Sequence, residues 1–186
     1  MTRKTYDRVM KSLKRNDLWT GASFLEDKDD KHSLREAFRL LRTVVHQGLR
    51  EAQNNFANAY DRGAGVRPSR RMAVHYYRKA WRAGQSSAAR NLGITMRMEG
   101  RTTTAIKWFH KAIADDDPDA RLDLAKIYLQ DPKHHSEAKL LLEEYVAAGP
   151  QTYYSYGKDA PSVQLEDEGF EEAKHLLQDL KGLVRD

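Results

Sequence analysis

The sequence predicts an all-α protein in which pairs of helices repeat along the chain and stack into a solenoid. Alanine recurs at spacings of 36, 32 and 33 residues, at Ala37, Ala73, Ala105 and Ala138. Eleven residues after each alanine comes a turn residue, namely Gly48, Gly84, Asp116 or Gly149. Apolar residues keep a helical period around these positions. A helical repeat of this length indicates a stacked array, because one unit cannot bury its apolar face alone.

Composition is compatible with such an array and narrows the class of protein. The 186 residues have a formal net charge of +5 and contain no cysteine, which excludes disulfides and thiolate metal sites. A charged fraction of 32% and a mean hydropathy of −0.80 are typical of a solenoid with much surface per residue. No apolar run approaches the length of a membrane span or of a signal peptide. We therefore expect a cytoplasmic protein.

The first complete unit, Glu51 to Ser86, shows the predicted helix pair most clearly. Glycines in Gly63-Ala64-Gly65-Val66 interrupt the helical pattern and indicate a turn. Ser69 is the predicted N-cap of the second helix, and Gly84 ends that helix. The apolar stripe of the first helix holds Ala52, Phe56, Ala57 and Tyr60, and that of the second holds Ala73, Tyr76, Tyr77, Ala80 and Trp81.

Further units flank this one in the same register. The second runs from Ser87 to Pro118, with Gly100 in its turn and Thr102 or Thr103 as the predicted N-cap, and the third runs from Asp119 to Pro150. Ser33 and Glu36 have capping-box spacing and predict the start of a leading half unit. An amphipathic helix from Phe170 to Leu180 closes the chain. The predicted organisation is thus a basic capping segment (1–32), the array (33–150), and an aromatic turn with a capping helix (151–186).

A motif covers both helices of the first complete unit. It reads Phe56-Ala57-x-x-Tyr60-x-x-Gly63-x-Gly65-Val66, then Ala73-x-x-Tyr76-Tyr77-x-Lys79-Ala80-x-x-x-Gly84. This motif resembles the Sel-like repeat, a relative of the tetratricopeptide repeat. The second unit matches through Lys107-Trp108-Phe109-x-Lys111-Ala112 but has a shorter turn, closer to the tetratricopeptide pattern, and the third matches less well. The resemblance implies a right-handed superhelical solenoid that serves as a protein-interaction scaffold, without cofactor or catalytic residues.

Candidate chemical sites are weak in this sequence. His46, His75 and His110 lie at different repeat phases, and the adjacent His134 and His135 make a poor chelate on a helix. The alternating Asp115, Asp117 and Asp119 lack the glycine and the glutamate of a calcium loop, so that Asp119 is interpreted as a helix start. No serine and histidine are spaced as nucleophile and base. We expect no enzyme, no metal and no cofactor.

The concave face of the array, lined by the exposed surface of the first helices, is the predicted binding site for a partner protein or peptide. Polar and basic residues there suit a segment with acidic and apolar side chains. Exposed aliphatics such as Ile94, Met98, Leu122 and Leu129 can instead contact a neighbouring repeat. The candidate partner-binding residues are Asn54, Asn58, Arg62, Arg90, Ile94, Arg97 and Lys126.

Narrower and rival functions stay open at the level of sequence. One is an immunity protein of bacterial origin that neutralises a toxin. Another is a nucleic-acid-binding accessory protein that uses the basic residues between Arg3 and Arg15. That segment can also cap the array. Tyr153, Tyr154 and Tyr156 either pack on the last repeat or bind a partner.

Overall fold

The structure, a computed structural model, describes residues 31–46, 48, 52–150 and 168–183. Over this part of the chain the secondary structure is helical, without strands, which confirms the predicted fold class. The helices are α1 (Lys31–His46), α2 (Ala52–Arg62), α3 (Arg70–Arg82), α4 (Ser86–Met98), α5 (Thr102–Ala114), α6 (Ala120–Tyr128), α7 (His135–Ala147) and α8 (Glu168–Leu183). A short 3-10 helix, Pro132–His134, precedes α7. The chain divides into two compact units, Met1–Ala88 and Ala89–Asp186.

An aromatic cluster holds the N-terminal unit together, where α1 and α3 both pack on α2. Phe38 of α1 stacks on Phe56 of α2 with 5.1 Å between ring centroids. Tyr76 of α3 meets Phe56 edge-on at 4.6 Å and lies parallel to Tyr60 at 6.1 Å. Phe56 is only 1% exposed. Because aromatic rings bury large apolar areas, these contacts supply much of the stability of three short helices.

The turn between α2 and α3 explains the Gly-x-Gly-Val sequence. Gly65 has a φ of +71° and lies so close to α1 that an added Cβ would be 2.0 Å from the carbonyl oxygen of Leu34. Val66 packs against the aromatic cluster. The Ser69 side chain accepts a hydrogen bond from the Met72 amide, which confirms the predicted N-cap. The turn therefore serves as a packing surface for α1 as well as a connection.

In the C-terminal unit, consecutive helices from α5 to α8 pack on one another. The α4–α5 contact depends on Gly93, where an added Cβ would be 2.7 Å from the ring of Phe109. Leu142 and Tyr145 of α7 join the core with residues of α6 and α8, among them Ala125 and Leu180. The predicted C-terminal capping helix is confirmed as α8, and its Ala173 is fully buried.

The repeated alanines and turn residues occupy equivalent environments, as the register predicts. Ala73, Ala105 and Ala138 are each 0% exposed. The residue eleven positions after each repeat alanine is left-handed, with φ of +90° at Gly48, +89° at Gly84, +59° at Asp116 and +79° at Gly149. Each ends a helix, where a left-handed residue satisfies orphan carbonyls. The recurrence of Gly at this position thus has a backbone cause.

Two helix starts differ from the predictions. The N-cap of α5 is Arg101, without a side-chain cap, and Thr102 is already helical, so the predicted threonine cap is wrong. Helix α1 includes Lys31, so Ser33 does not open it. In both places several neighbouring polar residues are compatible with a cap, so the sequence pattern alone does not fix the first helical residue. The predictions for residues 1–30 and for Tyr153, Tyr154 and Tyr156 lie outside the described residues.

Candidate functional site

In the N-terminal unit, the candidate asparagines of α2 hold the fold together. The Tyr77 hydroxyl donates a 2.5 Å hydrogen bond to Asn58 Oδ1, and burial raises the pKa of that hydroxyl. Asn54 Nδ2 donates to Ser87 Oγ at 3.4 Å. Arg62 is exposed at the end of α2. Neighbouring Asp61 is committed to an ion pair with Arg70 of α3.

In the C-terminal unit, Arg90 lies at the centre of a polar network with α6. Its Nε donates to Asp123 Oδ2 and its Nη1 donates to Asp119 Oδ2, both at 2.6 Å. The Tyr145 hydroxyl donates to the other oxygen of Asp119 at 3.3 Å. Burial acts to lower the pKa of Arg90, but the carboxylates of Asp123 and Asp119 raise it overall. Arg90 therefore fastens α4 to α6, an internal role that the sequence interpretation did not include.

Two polar positions that recur from one repeat to the next are the sequence signal that could have revealed this network. Arg90 lies two residues after Ala88, and Asp119 lies one residue before Ala120. Asn54 and Ser87 stand at the same two positions one repeat earlier. Polar residues at this pair of positions therefore join consecutive first helices in both places.

A third carboxylate, Asp117, is buried beside the network. Its residue is 5% exposed, and Oδ1 has no hydrogen-bond partner. Burial is the main cause that raises the pKa of Asp117, against the positive charge of Arg90, and the charge of Asp119 raises it further. The backbone amides of Ala120 and Asp119 donate to the carboxylate and act to lower the pKa. The carboxylate thus holds the backbone at the start of α6 through two hydrogen bonds, although burial disfavours its charged form.

We expect Asp117→Asn to become more stabilising relative to the native protein as pH rises above about 4. The raised pKa means that the folded state binds the proton more tightly than the unfolded state, whose pKa is near 3.8. This tighter proton binding stabilises the native protein fully below the unfolded pKa, and the stabilisation is lost as pH rises through the folded pKa. Asparagine keeps an acceptor for the backbone amides without titrating. Urea unfolding of both proteins at about pH 4 and pH 7 measures the difference, and a difference independent of pH would contradict this account.

The remaining candidates of the C-terminal unit have different environments. Lys126 of α6 forms a 2.6 Å ion pair with Glu172 of α8. Ile94 and Arg97 are half-buried on α4, and the adjacent Met98 is 67% exposed. Leu122 is buried and Leu129 packs against the same core, so these two aliphatics contact neighbouring helices. The largely exposed Met98 places an apolar side chain next to the cation Arg97 in the sequence.

The described part of the chain contains neither a metal-ligating cluster nor a helix that could span a membrane. Its histidine, aspartate and glutamate side chains include no group of three that could hold a metal ion. His110 Nε2 lies 3.3 Å from the Tyr128 hydroxyl, and His134 stacks on the Tyr128 ring at 5.3 Å. No helix among the described residues is long and apolar enough to cross a membrane.

Known proteins share the repeat and the fold. Residues 96–158 match the tetratricopeptide repeat family. The fold is similar to that of a Sel1 repeat protein from Oxalobacter formigenes, with a TM-score of 0.56 and 21% identity, covering 78% of this chain and 53% of that one. The described fold is therefore that of Sel-like repeat proteins, and residues 96–158 carry a tetratricopeptide-type repeat. The resemblance inferred from the motif of the first unit is thereby confirmed.

Two further comparisons extend this picture of Sel-like repeats. A protective antigen from uropathogenic Escherichia coli strains that displays an SLR fold has a TM-score of 0.54 and 22% identity, with 86% of this chain and 36% of that chain covered. An uncharacterised protein of Neisseria meningitidis serogroup B is 33% identical over 112 residues, which are 60% of this chain and 24% of that protein. The chain thus spans about a quarter of this relative and about half or less of the two solved structures.

Proposed function

We propose that this Sel-like repeat protein is an adaptor that binds another protein through the outward surface of its first helices. The observation that carries the proposal is the pair Arg97 and Met98 at the end of α4. Met98 exposes most of a large apolar side chain, and Arg97 provides a guanidinium next to it. Methionine is flexible and polarizable, so its side chain adapts readily to a partner surface. Such a pair suits a segment that offers apolar and acidic side chains.

Internal contacts separate the candidate residues into two groups. Asn54, Asn58, Arg90 and Lys126 each contact another helix or a neighbouring residue of their own unit. A partner that took these groups would have to replace existing bonds. Arg62 in the N-terminal unit, and Ile94 and Arg97 in the C-terminal unit, are the candidates that we assign to partner contact.

Narrower functions fit the same surface. An immunity protein that covers a toxin would use it in the same way, and a cytoplasmic location suits either role. A toxin gene found adjacent to the gene for this protein would support that narrower version. The N-terminal segment between Arg3 and Arg15 is the alternative site for a nucleic acid, and its removal would then weaken binding most at low salt.

We expect the double variant Arg97→Glu and Met98→Ser to reduce partner capture from native cell extract by at least about tenfold, because it removes both the cation and the apolar side chain of the proposed contact. A tenfold loss corresponds to about 1.4 kcal/mol of binding free energy. The matched control is Lys139→Glu with Leu140→Ser on α7, a second helix. That pair also combines a cation with an exposed apolar side chain, since Leu140 is 57% exposed. Quantitative mass spectrometry compares the proteins retained by the two variants. Equal retention by both would contradict the proposed surface, provided that circular dichroism shows equal helicity.

A further inference from the structure

Charge is distributed very unevenly between the two units. Residues 1–88 contain 19 of the 32 lysines and arginines but only 9 of the 27 acidic residues, a formal charge of +10. Residues 89–186 carry −5. The net charge of the whole chain conceals this difference. A strongly basic unit of this kind attracts polyanions.

The basic residues of the N-terminal unit form two ordered rows. On α1 and on α3 the exposed positions i, i+4, i+7 and i+11 share one helix face. All eight of these side chains are exposed. The rows are Arg35, Arg39, Arg42 and His46 on α1, and Arg71, His75, Arg78 and Arg82 on α3.

The two rows are equivalent within the repeat, because each residue of α1 has its counterpart 36 positions later on α3. That is also the spacing of Ala37 and Ala73. In the C-terminal unit only two of the eight equivalent positions, Lys107 and His110, are basic. On α5 they hold Thr103, Lys107, His110 and Ala114, and on α7 they hold Ser136, Leu140, Glu143 and Ala147.

Contacts around Tyr76 link the two rows. Burial and the nearby Tyr60 raise the pKa of Tyr76, whereas the positive charge of Arg42 from α1 lowers it. Lys79 Nζ lies 5.6 Å from the centroid of the same ring. Both helices pack on α2, so the rows belong to one compact unit. We call these eight residues, with Lys79, the basic face.

We propose that the basic face binds the phosphate backbone of a nucleic-acid duplex, independently of base sequence. This goes beyond the proposed adaptor function and uses other helices. Each row extends for about 16 Å along its helix, enough to follow several phosphates. Arginine, which predominates, donates to phosphate in a bidentate manner.

The location of the exposed apolar side chains favours a nucleic acid over an acidic protein as the ligand of the basic face. Protein interfaces have an apolar centre depleted of charge. Both large apolar side chains that are highly exposed in the described residues, Met98 and Leu140, lie in the C-terminal unit. The basic face thus lacks the apolar centre of a protein interface, but it can release condensed counterions from a polyanion.

Aromatic packing favours a duplex over a single strand. Tyr76 contacts Phe56 edge-on and lies parallel to Tyr60, so neighbouring rings of the unit already occupy it. Unpaired bases would need a free ring on which to stack. Tyr76 is thus engaged by its neighbours, and the basic face offers mainly cations for phosphates.

The test measures binding of the full chain to a fluorescent, random-sequence DNA duplex of roughly 20 base pairs over a range of salt concentrations. We expect clear binding at low salt. Replacing Arg71, Arg78 and Arg82 together by glutamine should weaken it by about tenfold or more and reduce the slope of log affinity against log salt by up to about 2.7, at about 0.9 for each phosphate contact. The control removes the same charge from the C-terminal unit, at Arg101, Lys107 and Lys133.

Three results would overturn the proposal: no binding of the native protein to the duplex at low salt, equal weakening by the two triple variants, or binding of poly-glutamate in preference to the duplex. Circular dichroism verifies the fold of each variant. If the α3 variant loses helicity, a double variant of α1, Arg35→Gln with Arg42→Gln, replaces it. Its charge-matched control is Arg101→Gln with Lys107→Gln. A reduction of slope by up to about 1.8, at about 0.9 for each of the two contacts and confined to the α1 variant, is then expected.

Discussion

Gly65→Ala is expected to lower the free energy of unfolding by about 3 kcal/mol or more. Two effects add. A left-handed residue with a side chain costs roughly 1–2 kcal/mol. In addition, the new Cβ would lie 2.0 Å from the oxygen and 2.5 Å from the carbonyl carbon of Leu34, which are backbone atoms of α1 and cannot rotate away. The turn and α1 would have to separate, and contacts of Phe38 and Val66 with the aromatic cluster would weaken.

Gly84→Ala is the matched control for this prediction. Gly84 has a similar φ of +89°, but an added Cβ would meet no atom within 4 Å. The control therefore measures the conformational cost alone, about 1 kcal/mol. Chemical denaturation followed by circular dichroism gives both values. Equal losses in the two variants would show that α1 does not press on the turn as described.

Arg90→Met is expected to destabilise the C-terminal unit by about 2–3 kcal/mol, because it leaves the carboxylates of Asp119 and Asp123 without their cation. The side chains of Asp119 and Asp123 are 16% and 10% exposed, so water compensates only in part. Lys126→Met is the control, since it breaks a pair whose Glu172 is 48% exposed and should cost less than about 1 kcal/mol. The measurement is again the free energy of unfolding.

A compensated variant separates charge from packing. Adding Asp119→Asn and Asp123→Asn to Arg90→Met removes the unpaired charges, and we expect it to recover a large part of the lost stability. Failure to recover any would mean that the network contributes through shape alone. Charge reversal at Arg90 would add a further carboxylate next to the existing ones and is therefore unsuited to a test of partner binding, for which Arg97 is the better residue.

The sequence predicted those features that local chemistry and the repeat register determine. Ala73, Ala105 and Ala138 are fully buried, the residue eleven positions after each repeat alanine is left-handed, and Ser69 caps α3. Each follows from spacing, from backbone conformation or from a hydrogen bond within one turn. Their physical causes are local, so a single sequence was sufficient.

Contacts between helices were harder to predict. Nothing near Arg90 in the sequence indicates that its partners are Asp119 and Asp123, which lie on the next first helix. The start of α5 was also misplaced, because three consecutive threonines offered caps and the helix uses none of them. The role of Gly65 against α1 depends on the packing of two helices and could be inferred only as a turn.

The central claim is that a partner protein contacts the first-helix surface at Met98. Site-specific photocrosslinking tests it most directly, with a photoreactive amino acid placed at Met98 or, as a control, at Leu140 on the second helix α7. Both side chains are highly exposed, so the probe is accessible in either place. The account predicts a crosslinked partner from position 98 and none from position 140. Crosslinking from position 140 alone would contradict it.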